Sequence, residues 1–278
     1  MSTPEELHGH YARGEERGRL ETPFGQVEFL RTCEILERAL PQPPAVVADV
    51  GGGPGRYALW LAAKGYTVRH RDLVELHLEQ VAGDAAARGL AIDTAVADAR
   101  TLDLADASAD AVLLLGPIYH LPTRADRVSA LAEAGRVVRP GCAVFAAAIS
   151  RWAPRLHGEV AERLGDEYPS IRELVEVVEQ SGRLMPLFEG SFSGYCHRPG
   201  ELRDEVVAAG LEPIDLVGVE GLAFALSDLE ERLAEPVQRE VVLGSARAIE
   251  RIPELLGLSP HLIATARRPR LVLGQAVR

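Results

Sequence analysis

The chain has 278 residues, 47% of them hydrophobic and 26% charged, with a net charge of −11. That length allows one large domain with an insertion and a core that needs no staple, and the acidic balance works against a nucleic-acid partner. Cys33, Cys142 and Cys196 lack C-x-x-C spacing, which excludes a disulfide framework or cysteine zinc site and fits a cytoplasmic setting. No apolar run is long enough to cross a bilayer or serve as a secretory signal.

Residues 1–25 read as a polar arm with a helical piece. Residues 26–40 place Val27, Leu30, Ile35, Leu36 and Leu40 at helical intervals, and Pro41, Pro43 and Pro44 end that helix. Val46 to Val50 then reads as a short buried strand. It runs directly into Gly51-Gly52-Gly53-Pro54-Gly55 and a helix from Arg56 to Lys64. Tyr66–Asp72, Ala91–Ala97, Ala111–Leu115 and Ala143–Ile149 are further strands, with helices over Val74–Gly89 and Arg124–Val138 between them. Strands alternating with helices at this pace predict an α/β, doubly wound, mostly parallel sheet. The order breaks at residue 151. Arg151–Leu164 and Ile171–Ser181 read as helices with no clear strand, followed by a Gly/Ser/aromatic stretch from Phe188 to Tyr195. Glu201–Ala209 resumes as a helix. Leu211–Val219 and Leu262–Arg267 complete seven strands, with a helical segment over Ser227–Ile249 between them. The expected organisation is an arm (1–40), a ligand-binding core (41–150), a helical insertion or lid after strand five (151–198) and the remainder of the sheet (199–278).

The chemistry concentrates at strand ends. Asp49 opens D-x-G-x-G-x-G, and Gly51, Gly53 and Gly55 permit a tight turn that a ligand can approach closely, with the free N–H groups of a helix start beyond it. A nicotinamide fingerprint would need glycine where Arg56 stands. Asp72, about 20 residues on, ends the second strand, where an acid can accept from ribose hydroxyls; alternatively it caps the next helix. Asp98 ends the third, where a carboxylate can accept from an adenine amino group. Ligands of such sheets bind at these carboxyl ends.

The segments VVADVGGGPGRYALWLAAKGY, RDLVELHLEQ, AVADARTLD and LLLGPIYHLP resemble the bacterial class I S-adenosylmethionine (SAM)-dependent methyltransferases of small-molecule type. So do HRPGELRDEVVAAGLEPIDLVGVEG and LLGLSPHLIATARRP. The resemblance implies a Rossmann-like fold with SAM as cofactor and S-adenosylhomocysteine as product. It implies that Asp49 and the glycines hold the methionine portion, Asp72 the ribose, Asp98 with Ala99 the adenine, and that Leu115 and Gly116 lie beside the methionine end. Arg71 departs from the apolar residue many relatives carry, and is expected to tilt Asp72 or pair with a nearby acid. In similar enzymes the arm folds over the cofactor, which gives Tyr11 a covering role; a solvated tail is the alternative.

Tyr119 and His120 follow the fourth strand, where acceptors are held in this fold. His120 can take a proton near neutral pH, or it caps a helix; Tyr119 can hydrogen-bond or stack against the acceptor. Phe192, Tyr195 and His197 line the acceptor pocket or pack the insertion. His8, His10, His70, His77, His157 and His261 are read as structural, because no pair shows a metal-ligand pattern, and no metal is expected. The expected partner is a small-molecule or peptide acceptor, with no nucleic acid and no membrane, for a monomer or homodimer. A SAM-binding protein that does not methylate is the alternative.

Overall fold

The computed structural model describes residues 9, 11, 14, 16–188, 191 and 193–270. Five strands run parallel in the order β3-β2-β1-β4-β5: β1 (Val46–Val50), β2 (Thr67–Asp72), β3 (Ile92–Val96), β4 (Ala109–Leu114) and β5 (Val138–Ser150). The sheet is Rossmann-like. Along β4, Ala111 and Leu113 face one side with Val47 and Phe145, while Val112 and Leu114 face the other with Ala48 and Val144. Both faces are therefore apolar, as a sheet covered by helices on both sides requires.

The helices supply that cover. The short α1 (Glu16–Arg19) leads into α2 (Pro23–Glu37), which starts at Thr22, whose Oγ1 accepts from the Gly25 N–H at 3.1 Å. With α3 (Arg56–Ala63) it covers the Val47–Leu113–Phe145 face. Next come α4 (Glu75–Ala87), the single turn α5 (Pro117–His120) and α6 (Arg124–Val137). The last of these covers the Ala48–Val112–Val144 face through Ala130, Leu131 and Ala134. The chain passes from β3 across β1 to β4, so β1 and β4 flank the switch point. Their carboxyl ends mark the expected ligand crevice.

Two antiparallel strands extend the β5 edge: β9 (His261–Arg267) lies against Ala143–Ile149, and β8 (Glu212–Gly218) lies outside β9. These complete the seven expected strands. The segment expected to hold helices and no clear strand differs. It holds a π-helix (Pro154–Ala161), α7 (Ile171–Ser181) and a short hairpin of β6 (Arg183–Leu184) and β7 (Gly194–His197). The register explains why. β4 ends opposite Ala146, and β9 occupies one edge of Ile149, so the other edge of Ile149–Ser150 needs a partner that Cys196 and His197 provide.

Beyond the hairpin, α8 (Pro199–Ala208) packs Leu202 and Val206 on the same core face as α6. The helical segment expected over 227–249 consists of two helices, α9 (Leu229–Ala234) and α10 (Pro236–Ile249). Pro236 cannot donate within a continuing helix and instead takes the first position of a new one. Among the described residues, no helix is long and apolar enough to cross a membrane.

Candidate functional site

At the switch point the turns after β1 and β4 interlock. Gly51 has φ +61°, its N–H donates to the Arg71 carbonyl at 2.6 Å, and a Cβ there would stand 2.4 Å from Pro117 Cγ. A Cβ on Gly52 would stand 2.2 Å from Asp49 Oδ2. Only glycine fits at either position. Asp49 is fully buried beneath this turn. His70 Nδ1 donates to its Oδ2 at 3.2 Å, and its Oδ1 has no partner among the described residues. It supports the turn from below and does not line the cavity above it. Gly55 caps α3 from behind, against Val81.

That cavity has a volume of about 500 Å³ and brings most of the expected residues together. Gly51, Gly53, Asp72, Asp98 and Ala99 line the half over β1–β3. Leu115, Gly116, Tyr119, His120 and Tyr11 line the half over β4. Asp72 Oδ2 accepts from the Gly53 N–H at 2.9 Å. Its Oδ1 accepts from Val74 N–H at 2.9 Å and from His77 Nδ1 at 3.1 Å. Burial opposes the charge, but these donors outweigh it and hold the carboxyl below the usual range. Arg71 turns away from the cavity to pair with Asp93 and Asp103, at 3.0 and 2.7 Å. The unusual residue is thus consumed by two acids and leaves Asp72 facing the ligand space. Asp98 is held by Arg100, whose Nη2 lies 2.6 Å from its Oδ2 and whose Nη1 reaches Asp126 at 2.9 Å. The guanidinium keeps the Asp98 carboxyl ionised.

Tyr11 spans the opening. Its hydroxyl lies 2.7 Å from His120 Nε2, and its ring meets His77 edge-on at 5.0 Å. Burial raises the phenol's pKa, as it does for Tyr119, so the phenol stays protonated, and the imidazole tautomer sets which of the two donates. Arg19 and Glu21 of the arm also line the cavity. The cover therefore comes from the arm; among the described residues, none of 151–198 lines it.

Tyr195 and His197 are placed away from the cavity. His197 is fully buried, with Nε2 3.1 Å from Glu205 Oε2, and the Tyr195 ring lies under the Arg127 guanidinium at 3.7 Å. Both belong to a buried ion-pair cluster between α6 and α8. Phe192 lies outside the described residues.

Glu28, Glu220 and Ser259, which the sequence did not single out, complete the surroundings. Arg19 reaches from the cavity to Glu28, which it binds through both Nη atoms. Behind Glu28, Glu220 accepts from His261 Nδ1 at 2.5 Å and from Ser259 Oγ at 2.8 Å. Burial disfavours the His261 cation, yet the two carboxylates prevail and raise its pKa to about 9. Two acids, an arginine and an imidazolium thus balance within the protein. Glu28 and His261 lie more than two hundred positions apart, so no local pattern links them.

A family model described as a methyltransferase domain matches residues 47–141. The ubiquinone/menaquinone biosynthesis C-methyltransferase of Acidiphilium cryptum is 32% identical over 178 residues, covering 60% of this chain and 70% of that protein. Among solved structures, a SAM-dependent methyltransferase from Methanosarcina mazei superposes with a TM-score of 0.58 at 16% identity, over 85% of this chain and 97% of that one. Phosphoethanolamine N-methyltransferase 2 of Haemonchus contortus, in complex with SAM, gives 0.55 at 18% identity, over 86% of this chain and 52% of that one. These structures share the fold. The chain therefore belongs to the class I SAM-dependent methyltransferases, and SAM is its cofactor.

Proposed function

We propose that the chain moves a methyl group from SAM to an oxygen, nitrogen or carbon of a small molecule, a specialised metabolite or a modified peptide, held between Tyr11, Tyr119 and His120. The observation that carries this reading is the Tyr11–His120 hydrogen bond, 2.7 Å long, on the wall of a cavity whose floor is the glycine turn. The residues fit the cofactor. A volume of about 500 Å³ lies in the range of ligand sites, the Gly51–Gly52 cradle has no room for side chains, and Asp72 and Asp98 stand where ribose and adenine would sit. Asp49 acts through the turn it supports. Arg100 has to swing from Asp98, or share it, before an adenine amino group reaches that carboxylate. The net charge of −11 favours a small acceptor over a nucleic acid.

When bound, SAM supplies an electrophilic methyl group on a good leaving group. The residues then have to align the acceptor, exclude water and remove a proton. Gly116 and Pro117 fix the start of α5, and with it Tyr119 and His120. An acceptor hydroxyl or amine passes its proton to the His120 imidazole, which the protonated Tyr11 phenol holds in place. Tyr11, as the cover, keeps bulk water out.

Two results test this. Calorimetric titration with S-adenosylhomocysteine is expected to give micromolar or tighter binding for the wild type and a loss of at least about tenfold for Asp72→Ala. Equal affinities would remove Asp72 from the site. His120→Phe is expected to keep the product's affinity within a factor of about three while turnover falls by roughly 10²-fold or more, the usual weight of a general base. Unchanged turnover on an oxygen or nitrogen acceptor would leave His120 a wall residue only.

A further inference from the structure

His77 has an atom that the fold leaves unexplained. The residue lies in the first turn of α4, is 3% exposed and lines the cavity beside Asp72. Its Nδ1 stands 3.1 Å from Asp72 Oδ1, and a carboxylate held ionised can only accept, so Nδ1 carries the proton. In the neutral ring Nε2 is then the bare acceptor. It is buried and has no hydrogen-bond partner among the described residues. An unpaired polar atom in the interior is costly, and one beside a cavity can be satisfied by the ligand the cavity holds. Its neighbours mark the direction: His77 Cε1 is 4.0 Å from the place a Cβ on Gly53 would take, on the cavity side of the glycine turn.

A count of acceptors at Asp72 points the same way. Its two oxygens offer about four sites. Val74 N–H and His77 Nδ1 fill Oδ1, and Gly53 N–H takes one site on Oδ2. One site remains for a ribose that brings two hydroxyl donors, so the second hydroxyl needs another acceptor.

We propose that His77 reads the cofactor ribose together with Asp72: Nε2 accepts from one hydroxyl of bound SAM, and the free site on Asp72 Oδ2 accepts from the other. The inference rests on the assignment of this cavity to SAM. It makes the imidazole a binding residue, beyond its structural bond to Asp72.

The test separates Nε2 from Nδ1. The amide of His77→Asn can replace Nδ1 as the donor to Asp72 but has nothing at Nε2. His77→Gln places an amide oxygen nearer Nε2. Calorimetry is run with S-adenosylhomocysteine and with its 2′-deoxy and 3′-deoxy analogues, on wild type and both variants. The wild type is expected to bind S-adenosylhomocysteine and to lose about tenfold on each deoxy analogue. His77→Asn is expected to lose about tenfold on the parent compound and nothing more on one deoxy analogue, while the other still costs tenfold. His77→Gln is expected to regain part of the loss. Comparing ligands within one variant cancels any loss of folded protein. Parent binding equal to wild type in His77→Asn, or equal penalties on both deoxy analogues in variant and wild type, would overturn the proposal and leave SAM binding intact. A wild type that fails to bind S-adenosylhomocysteine would overturn the cavity assignment, and the proposal with it.

Discussion

Glu205→Ala is expected to lower the stability of the protein by about 3–5 kcal/mol, the cost of leaving a buried charge without its partner. Arg127 and Glu205 are each 2% exposed. Arg127 donates through Nε to both carboxylate oxygens at 3.0 Å and through Nη2 to Oε1 at 2.7 Å. Its Nη1 holds the carbonyls of Leu121 and Pro122 at 2.9 and 3.0 Å. Removing the carboxylate strands the guanidinium over the Tyr195 ring and frees His197 Nε2 as well. At this chain length the change corresponds to a fall of about 10 °C in melting temperature by calorimetry. Leu121 and Pro122 directly follow His120, so turnover should fall even at temperatures where the variant stays folded. Burial raises the Glu205 pKa, but His197 and Arg127 outweigh it and leave the folded value below the unfolded one. The pair's contribution is therefore fully present above the unfolded carboxyl's pKa, near 4.3, and fades as pH falls through the lower folded value. Wild type and variant should converge in acid. A variant within 1 kcal/mol of wild type at pH 7 would show that water or a neighbouring acid already compensates Arg127.

The same cluster explains where sequence reading ended. Tyr195 and His197 look like pocket residues because an aromatic and a histidine side by side suit an acceptor. What claims them instead is the Arg127–Glu205 pair, Arg127 over Tyr195 and Glu205 at His197; its members lie 78 positions apart, and no periodicity records that pairing. The β6–β7 hairpin escaped for a related reason: its role is to satisfy the last residues of β5, a need set by where β4 stops. The parallel strands and the glycine turn were legible because their signals are local. β4 is wholly apolar from Ala111 to Leu114, Asp72 is the last residue of β2, and Asp98 lies two residues past β3. Arg71 shows an intermediate case. Its departure from an apolar residue announced an ionic partner, and the fold brings Asp93 of β3 and Asp103 beyond it to serve. His77 was set aside for want of a metal pattern. The available signal was its distance from Asp72, which brings a histidine in the following helix back onto the acid.

Gly51→Ala is expected to reduce affinity for S-adenosylhomocysteine by at least about hundredfold, well beyond the Asp72→Ala loss. Two effects add. The φ of +61° costs an alanine roughly 1 kcal/mol or more, and its Cβ would stand 2.4 Å from Pro117 Cγ and 2.7 Å from Cδ. The proline ring cannot rotate away as a flexible side chain would. It begins the turn that carries Tyr119 and His120, so relief comes only by moving α5. The opposite face is closed too, because a Cβ on Gly116 would lie 2.6 Å from the Gly51 carbonyl oxygen. Gly53 supplies the control. Its φ of +57° carries a similar backbone cost, but a Cβ there meets no atom of the described residues closer than 3.9 Å. Gly53→Ala should therefore fold with its melting temperature lowered by only a few degrees, and still lose about tenfold in binding, since the methyl group projects into space the ligand requires. If Gly53→Ala bound as tightly as wild type, the cofactor would not lie against this turn. The crowding at Gly51 would then be a matter of packing between β1 and β4 alone.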